Sequence, residues 1–270
     1  MSHYKERERM GEHDKPIDGA IFDLDGTLTH TVDLHEVAWQ EAFDGLFSLR
    51  LQRSGEWQRP FDTADYRAFV DGRPRADGIK ALLDSRGIDL PDGTDDDPAG
   101  SESIVGLGKR QRQLFLEGLD RIGAAPDADA LRLLGGLREM GAGIALASAD
   151  EDAERILEHV GLGVDLFDVA LFESLGSTRN LRPKPAPDVF VACLERLGIE
   201  DGHRVVVFDD SVVGVAAARA AGIGLTVGID RGGNASALRA HGADWVVQSL
   251  REVSVLQIAA HLARSSASRP

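Results

Sequence analysis

Apolar residues follow two different rhythms along this chain. From about residue 126 onward, short continuous apolar runs alternate with stretches in which apolar side chains recur every three or four positions. The runs at 144–147, 169–172, 205–208, 225–227 and 245–247 read as strands. The periodic stretches at 128–140, 152–160, 187–197, 212–221 and 235–241 read as helices, with Gly141, Gly198 and Gly222 as stops. A further apolar run, Ala20, Ile21 and Phe22 with Leu24, opens a first strand placed at 20–30. Continuous apolar strands alternating with helices predict a parallel sheet covered on both faces. Ligands in such sheets bind at the carboxyl ends of the strands.

Between the first strand and residue 124 the strand rhythm disappears. Leu34, Val37, Ala38 and Ala42, then Tyr66, Phe69 and Val70, then Ile79, Leu82 and Leu83, then Leu114, Phe115 and Leu119 all fall at helical spacing. Residues 88–103 are rich in Asp, Gly and Pro and read as an exposed loop. The expected organisation is a lead-in at 1–16, an α/β core at 17–32 and 124–262, a helical insert at 33–123, and a flexible tail at 263–270.

The chain has 270 residues, 43% of them hydrophobic, enough for one large core or a core plus a smaller domain. There is no apolar run long enough to predict a membrane-spanning helix, and the polar N-terminus does not read as a secretory signal. The single cysteine, Cys193, can form no internal disulfide and falls in an apolar helical pattern as a core filler. A cytoplasmic monomer is expected. The net charge of −15 disfavours nucleic acid as a partner. An anionic small-molecule substrate would therefore need a local positive site.

Candidate chemistry collects at the predicted strand ends. Asp23 and Asp25 flank Leu24 ahead of Gly26, and on an extended strand both would point to one side. By itself Asp-x-Asp-Gly is equally a strand running into an acidic turn. Ser148, Ala149 and Asp150 follow the run at 144–147; Ser148 could hold a phosphate near a helix start, or Ser148 or Asp150 could simply cap that helix. Lys184 is braced by Pro183 and Pro185 and is a candidate point charge for a phosphate or a carboxylate. Asp209 and Asp210 directly follow the run at 205–208. One acid would suffice for a helix cap, whereas two suit a divalent cation. Asp23, Asp25, Asp209 and Asp210 are thus the candidate ligands for Mg²⁺, with Ser148 and Lys184 for phosphate. A carboxylate placed there can act as a nucleophile, and its neighbour as general acid and base.

These segments, in this order, resemble the haloacid dehalogenase superfamily: Asp-Leu-Asp-Gly-Thr at 23–27, Ala-Ser at 147–148, Lys-Pro-Ala-Pro-Asp at 184–188 and Phe-Asp-Asp-Ser at 208–211. The resemblance implies a Rossmann-like core with an α-helical cap inserted after the first strand. It is greatest to the β-phosphoglucomutase-like subfamily, through residues 31–39, residues 71–75 with Asp77, residues 145–149 and residues 184–190. It implies Asp23 as nucleophile, forming an aspartyl phosphate, and Asp25 as acid and base positioned by His35. Arg75 would bind the non-reacting phosphate from the cap. Trp39, Gly72, Arg73, Ala149 and Asp150 complete the implied substrate site, with Mg²⁺ as cofactor. The implied reaction interconverts β-D-glucose 1-phosphate and glucose 6-phosphate through a bisphosphate. Thr27, a form common among phosphatases of the superfamily, supports the alternative of a small phosphate-ester phosphatase. His30 stands where an acid is usual, Glu151 where a basic or neutral polar residue would suit a phosphate better, and the loop at 173–183 is longer than usual.

Overall fold

A computed structural model describes residues 15–172 and 180–267. The lead-in expected at 1–16 and the long loop expected at 173–183 lie largely outside the described residues.

Six parallel strands form one sheet: β1 (Gly19–Phe22), β2 (Gly143–Ser148), β3 (Val169–Phe172), β4 (Val205–Asp209), β5 (Leu225–Ile229) and β6 (Trp245–Val247), in the spatial order β3-β2-β1-β4-β5-β6. The winding reverses between β1 and β4, so a crevice opens at the carboxyl ends of these two neighbours. Alternate residues of each strand feed opposite layers. Ala20, Phe22, Leu146 and Phe208 pack with α5 (Ala128–Glu139), α6 (Ala153–His159) and α10 (Val255–Ala267) on one face. Ile21, Ala147 and Val207 pack with α7 (Asp188–Leu197) and α8 (Val212–Ala220) on the other. Both faces are dry, so the strands read as unbroken apolar runs. A short helix, α9 (Ala235–Ala240), precedes β6. Cys193 is buried in the second layer.

Two expectations need correction. The first strand does not continue to residue 30: β1 ends at Phe22. Gly26 takes φ 71° and the N–H groups of Thr27, Leu28 and Thr29 all turn back to the Leu24 carbonyl. Strand alternation is therefore not what brings Asp23 and Asp25 to the site. The tail expected from residue 263 is helical as far as Ala267, because Ile258 and Leu262 of α10 bury a stripe against the sheet.

The insert is helical: α1 (Val32–Ser54), α2 (Thr63–Asp65) running into a π-helical turn (Tyr66–Val70), α3 (Arg75–Ser85) and α4 (Ile104–Ile122). It has a core of its own. Trp39, Phe47 and Phe61 each stack on Phe43, closed by Ile79, Leu82 and Leu107. Gly55 stops α1 and the Ser103 hydroxyl caps α4. Separate packing is what lets these helices sit over the sheet edge as a cap. Among the described residues no helix is long and apolar enough to cross a membrane.

Candidate active site

The floor of the site is the crevice between β1 and β4. Phe22 pairs in register with Phe208, and their rings stack at 4.7 Å. The next residues, Asp23 and Asp209, are thereby set side by side, and the Asp23 N–H donates to the Phe208 carbonyl at 2.9 Å. Lys184, with no exposed side-chain surface, donates from Nζ to Asp23 Oδ1 at 2.8 Å and Asp209 Oδ2 at 3.0 Å. It also reaches the Ala147 carbonyl at 3.3 Å. The other oxygen of Asp209 accepts from the Ser211 N–H and hydroxyl at 2.9 and 2.7 Å. Ser148 closes the floor at the end of β2, its Oγ accepting from the Asp150 N–H at 3.0 Å. Neither Ser148 nor Asp150 caps α6, which begins at Ala153; both shape the turn before it.

One lysine does not balance this floor. Carboxylate oxygens of Asp23, Asp209 and Asp210 lie within 4.8 Å of one another. Burial pushes the Asp23 carboxyl well up; Lys184 pulls it back, while Asp209 and Asp25 add to the rise. Burial also drives Asp210 well up, with Asp71, Asp23 and Asp209 adding to it. The Asp210 side chain accepts no hydrogen bond from any described residue. Gly26 makes room for it, since a Cβ there would fall 1.9 Å from Asp210 Oδ2. Three convergent oxygen donors in an acid-crowded pocket suit a hard divalent cation. Asp25, expected with this set, is elsewhere: its carboxylate groups with His35 and Asp150.

That second group is a proton network. His35 Nε2 lies 3.2 Å from both Asp25 Oδ1 and Asp150 Oδ2, and its ring stacks on Phe115 at 3.9 Å. The Thr31 hydroxyl donates to the same oxygen of Asp25. Burial alone would raise Asp25, but His35 and the bonds from His35 and Thr31 outweigh it and hold the carboxyl below its usual value. Burial alone would lower His35, but Asp25 and Asp150 outweigh it and raise the imidazole. A raised histidine adds stability that is complete below its unfolded value of 6.5 and is lost as pH rises through the folded value. Thermal midpoints between pH 6 and pH 9 should therefore fall further in the wild type than in His35→Asn. Equal falls would show that the proton is not held there.

The wall comes from the insert. Trp39, Tyr66, Asp71, Gly72, Arg73 and Arg75 line the cleft opposite Ala149, Asp150 and Glu151. Gly72 (φ 68°) presses on the core: a Cβ there would lie 2.3 Å from Ser211 Oγ. Arg75, expected to await a phosphate, is engaged. Its Nε donates to Gln111 at 2.7 Å, Nη1 bonds Glu151, and Nη2 reaches Asp152 at 3.3 Å. Arg112 of α4 holds Asp152 from the same side. The cap is thus tied down by ion pairs across the cleft. The space left inside is about 60 Å³, room for a few waters and not for a sugar phosphate.

Several residues of this site were assigned no role of their own in the sequence. Asp71 lines the cleft with its carboxyl raised to about 7, chiefly by burial and the nearby Asp209. Arg231 donates to the Gly26 carbonyl at 2.6 Å and to Asp127 at 2.7 Å, pinning the turn that carries Asp25. It lies two residues past the carboxyl end of β5, a place the strand-end rule points to. Gln111, Arg112 and Asp152 carry no local signal. Their roles exist only once the cap is folded over the core.

Fold and donor set define a Rossmann-like α/β protein with an acidic cluster and a buried lysine at the point where the strand order reverses. Residues 17–222 match the family model described as haloacid dehalogenase-like hydrolase, and the chain belongs to this family of enzymes. It is 38% identical over 252 residues to a beta-phosphoglucomutase of Mycobacterium bovis, covering 92% of this chain and 95% of that one. It is 30% identical over 207 residues to fructose-1-phosphate phosphatase YqaB of Escherichia coli, covering 76% and 93%. The fold matches that of beta-phosphoglucomutase from Clostridium difficile with a TM-score of 0.70 at 20% identity, over 93% of this chain and 99% of that one.

Proposed function

We propose that this protein is a phosphosugar mutase that interconverts β-D-glucose 1-phosphate and glucose 6-phosphate through an aspartyl phosphate and a bound bisphosphate. The observation that carries the reading is the closed cleft, with Asp25 and His35 set beside Asp23 under a cap that leaves room for only a few waters. A phosphoryl group held on Asp23 there meets a sugar hydroxyl in preference to bulk water. The likeness to the Mycobacterium bovis protein along nearly its whole length supports it.

In this reading an Asp23 carboxylate oxygen attacks phosphorus, and the bond from phosphorus to the sugar oxygen breaks. Asp25 returns to the departing oxygen the proton that it takes from the attacking hydroxyl in the other transfer. In the reverse transfer Asp25 removes the proton from the attacking hydroxyl, which takes the phosphoryl group from Asp23. His35 orients Asp25 and keeps a proton at its Oδ1. Lys184 and Ser148 hold the transferring phosphoryl oxygens. Asp23, Asp209 and Asp210 would hold Mg²⁺, which supplies charge neutralisation at the transferring phosphate.

A phosphatase acting on a small phosphate ester is the second reading. It is favoured by Glu151 on Arg75, which weakens the site for a second phosphate, and by the likeness to the Escherichia coli phosphatase. Phosphorus NMR of the protein with Mg²⁺, β-glucose 1-phosphate and a trace of glucose 1,6-bisphosphate separates the two. The mutase gives glucose 6-phosphate with little inorganic phosphate. Accumulating inorganic phosphate would replace it with the phosphatase.

A further inference from the structure

We infer that Arg231, on the loop that follows β5, is a positioning residue for the proton-transfer half of the reaction: it fixes the turn that carries Asp25. The inference deepens the reading above and rests on the roles given there to Asp23 and Asp25. Arg231 is not among the residues that line the cleft, so it acts through others. The two acids are held in different ways. Asp23 directly follows β1, tied by its N–H to the Phe208 carbonyl and by its carboxylate to Lys184. Asp25 lies past the strand, on a turn whose N–H groups at 27, 28 and 29 all go to the one carbonyl of Leu24. That turn takes its anchor from outside.

The anchor is a closed circuit. The Gly26 carbonyl accepts from Arg231 Nε at 2.6 Å and from no other described residue. Arg231 Nη2 donates to Asp127 Oδ2 at 2.7 Å. The Asp127 N–H donates back into the turn, to the Leu28 carbonyl, at 2.8 Å. Both supports are rigid. Asp127 is buried, and its other oxygen caps α5 by accepting from the Asp129 and Ala130 N–H groups at 3.0 and 2.9 Å. Asp230 Oδ1 ties down the loop beside Arg231 by accepting from the N–H groups of Gly232, Gly233 and Asn234. A planar guanidinium can hold two acceptors at fixed angles, which a single ammonium does not. The circuit also gives a reason for His30, whose Nε2 lies 3.7 Å from Asp127 Oδ2. An acid at position 30 would set a like charge beside Asp127 and compete with Gly26 for Arg231.

The test separates the two half-reactions. With Mg²⁺, p-nitrophenyl phosphate passes its phosphoryl group to Asp23: the bond from the Asp23 oxygen to phosphorus forms, the bond from phosphorus to the phenol oxygen breaks, and p-nitrophenolate leaves with the electron pair and without a proton. With protein in excess, its release in a single turnover reports the attack alone. The phosphoryl group then moves to a hydroxyl of added glucose 6-phosphate, which gives its proton to Asp25, so decay of the radiolabelled phosphoprotein reports that step. In Arg231→Met the release should stay within about twofold of the wild type while the decay slows about tenfold or more, a part of the roughly 10²–10⁴-fold that a placed acid and base supplies. Arg231→Lys, which can keep one of the two contacts, should recover part of the loss, and it carries the test if the methionine variant does not fold. The assignment is overturned if both steps slow together, as a merely structural role would have it, or if the decay keeps its wild-type rate. The roles it rests on fail on other readouts: no phosphoprotein in the wild type, or an unchanged decay in Asp25→Asn.

Discussion

Asp23→Asn should leave a folded protein with turnover reduced on the order of 10⁵-fold or more, the scale expected when a nucleophile is removed outright. The amide keeps the shape of the carboxyl but has no charge with which to attack phosphorus. Loss of turnover alone would be ambiguous, since a buried substitution can also unfold the chain. Here the electrostatics separate the two outcomes. Asp23 is crowded by Asp209 and Asp25, and its carboxyl is raised well above its usual value by burial. Replacing it removes one of the like charges and leaves Lys184 paired with Asp209 at 3.0 Å. The thermal midpoint without added cation should therefore stay at or above that of the wild type. Both measurements are made on one preparation. Wild-type turnover in this variant would remove Asp23 from the chemistry, and a large fall in midpoint would make the residue structural instead.

How much of this was legible beforehand follows from where each signal is stored. The sheet was legible because both of its faces are dry: the runs at 144–147 and 205–208 have no polar alternation to confuse them. The helix stops were legible in single glycines such as Gly198, whose φ of 71° ends α7. The α10 helix was not read, because its buried stripe needs the sheet to give it meaning. At the site, Asp23, Lys184, Asp209 and Asp210 stand out because carboxylates beside apolar runs, and a lysine braced by prolines, are locally odd. Asp25 shows the limit of that reasoning. Spacing joined it to Asp23, yet the turn at Gly26 delivers it to His35 and Asp150. Arg75 shows it again. The resemblance implied a phosphate ligand there; the Glu151 and Asp152 that hold it in this structure arrive from 76 and 77 residues away. No local pattern encodes a contact between cap and core.

Lys184→Met should cost about 3–5 kcal/mol, the usual penalty for removing one partner of a buried ion pair. Methionine keeps most of the side chain's length and apolar volume, so the loss reports the charge more than a cavity. Two acids then stand without their cation: Asp23, at 2.8 Å from Nζ, and Asp209, whose side chain has no exposed surface. For a chain of this size, at about 2–4 °C per kcal/mol, the thermal midpoint should fall on the order of 10 °C. Added Mg²⁺ should recover part of the fall. A cation held by Asp23, Asp209 and Asp210 neutralises the same acids, and ligand at a hundred times its dissociation constant adds about 2.7 kcal/mol. The recovery should therefore be larger in Lys184→Met than the shift that Mg²⁺ gives the wild type, whose floor already holds one positive charge. A variant that melts with the wild type would show that Lys184 is not what balances the floor. A fall in midpoint that Mg²⁺ does not reverse would remove the acidic trio as a cation site while leaving the lysine's structural role in place.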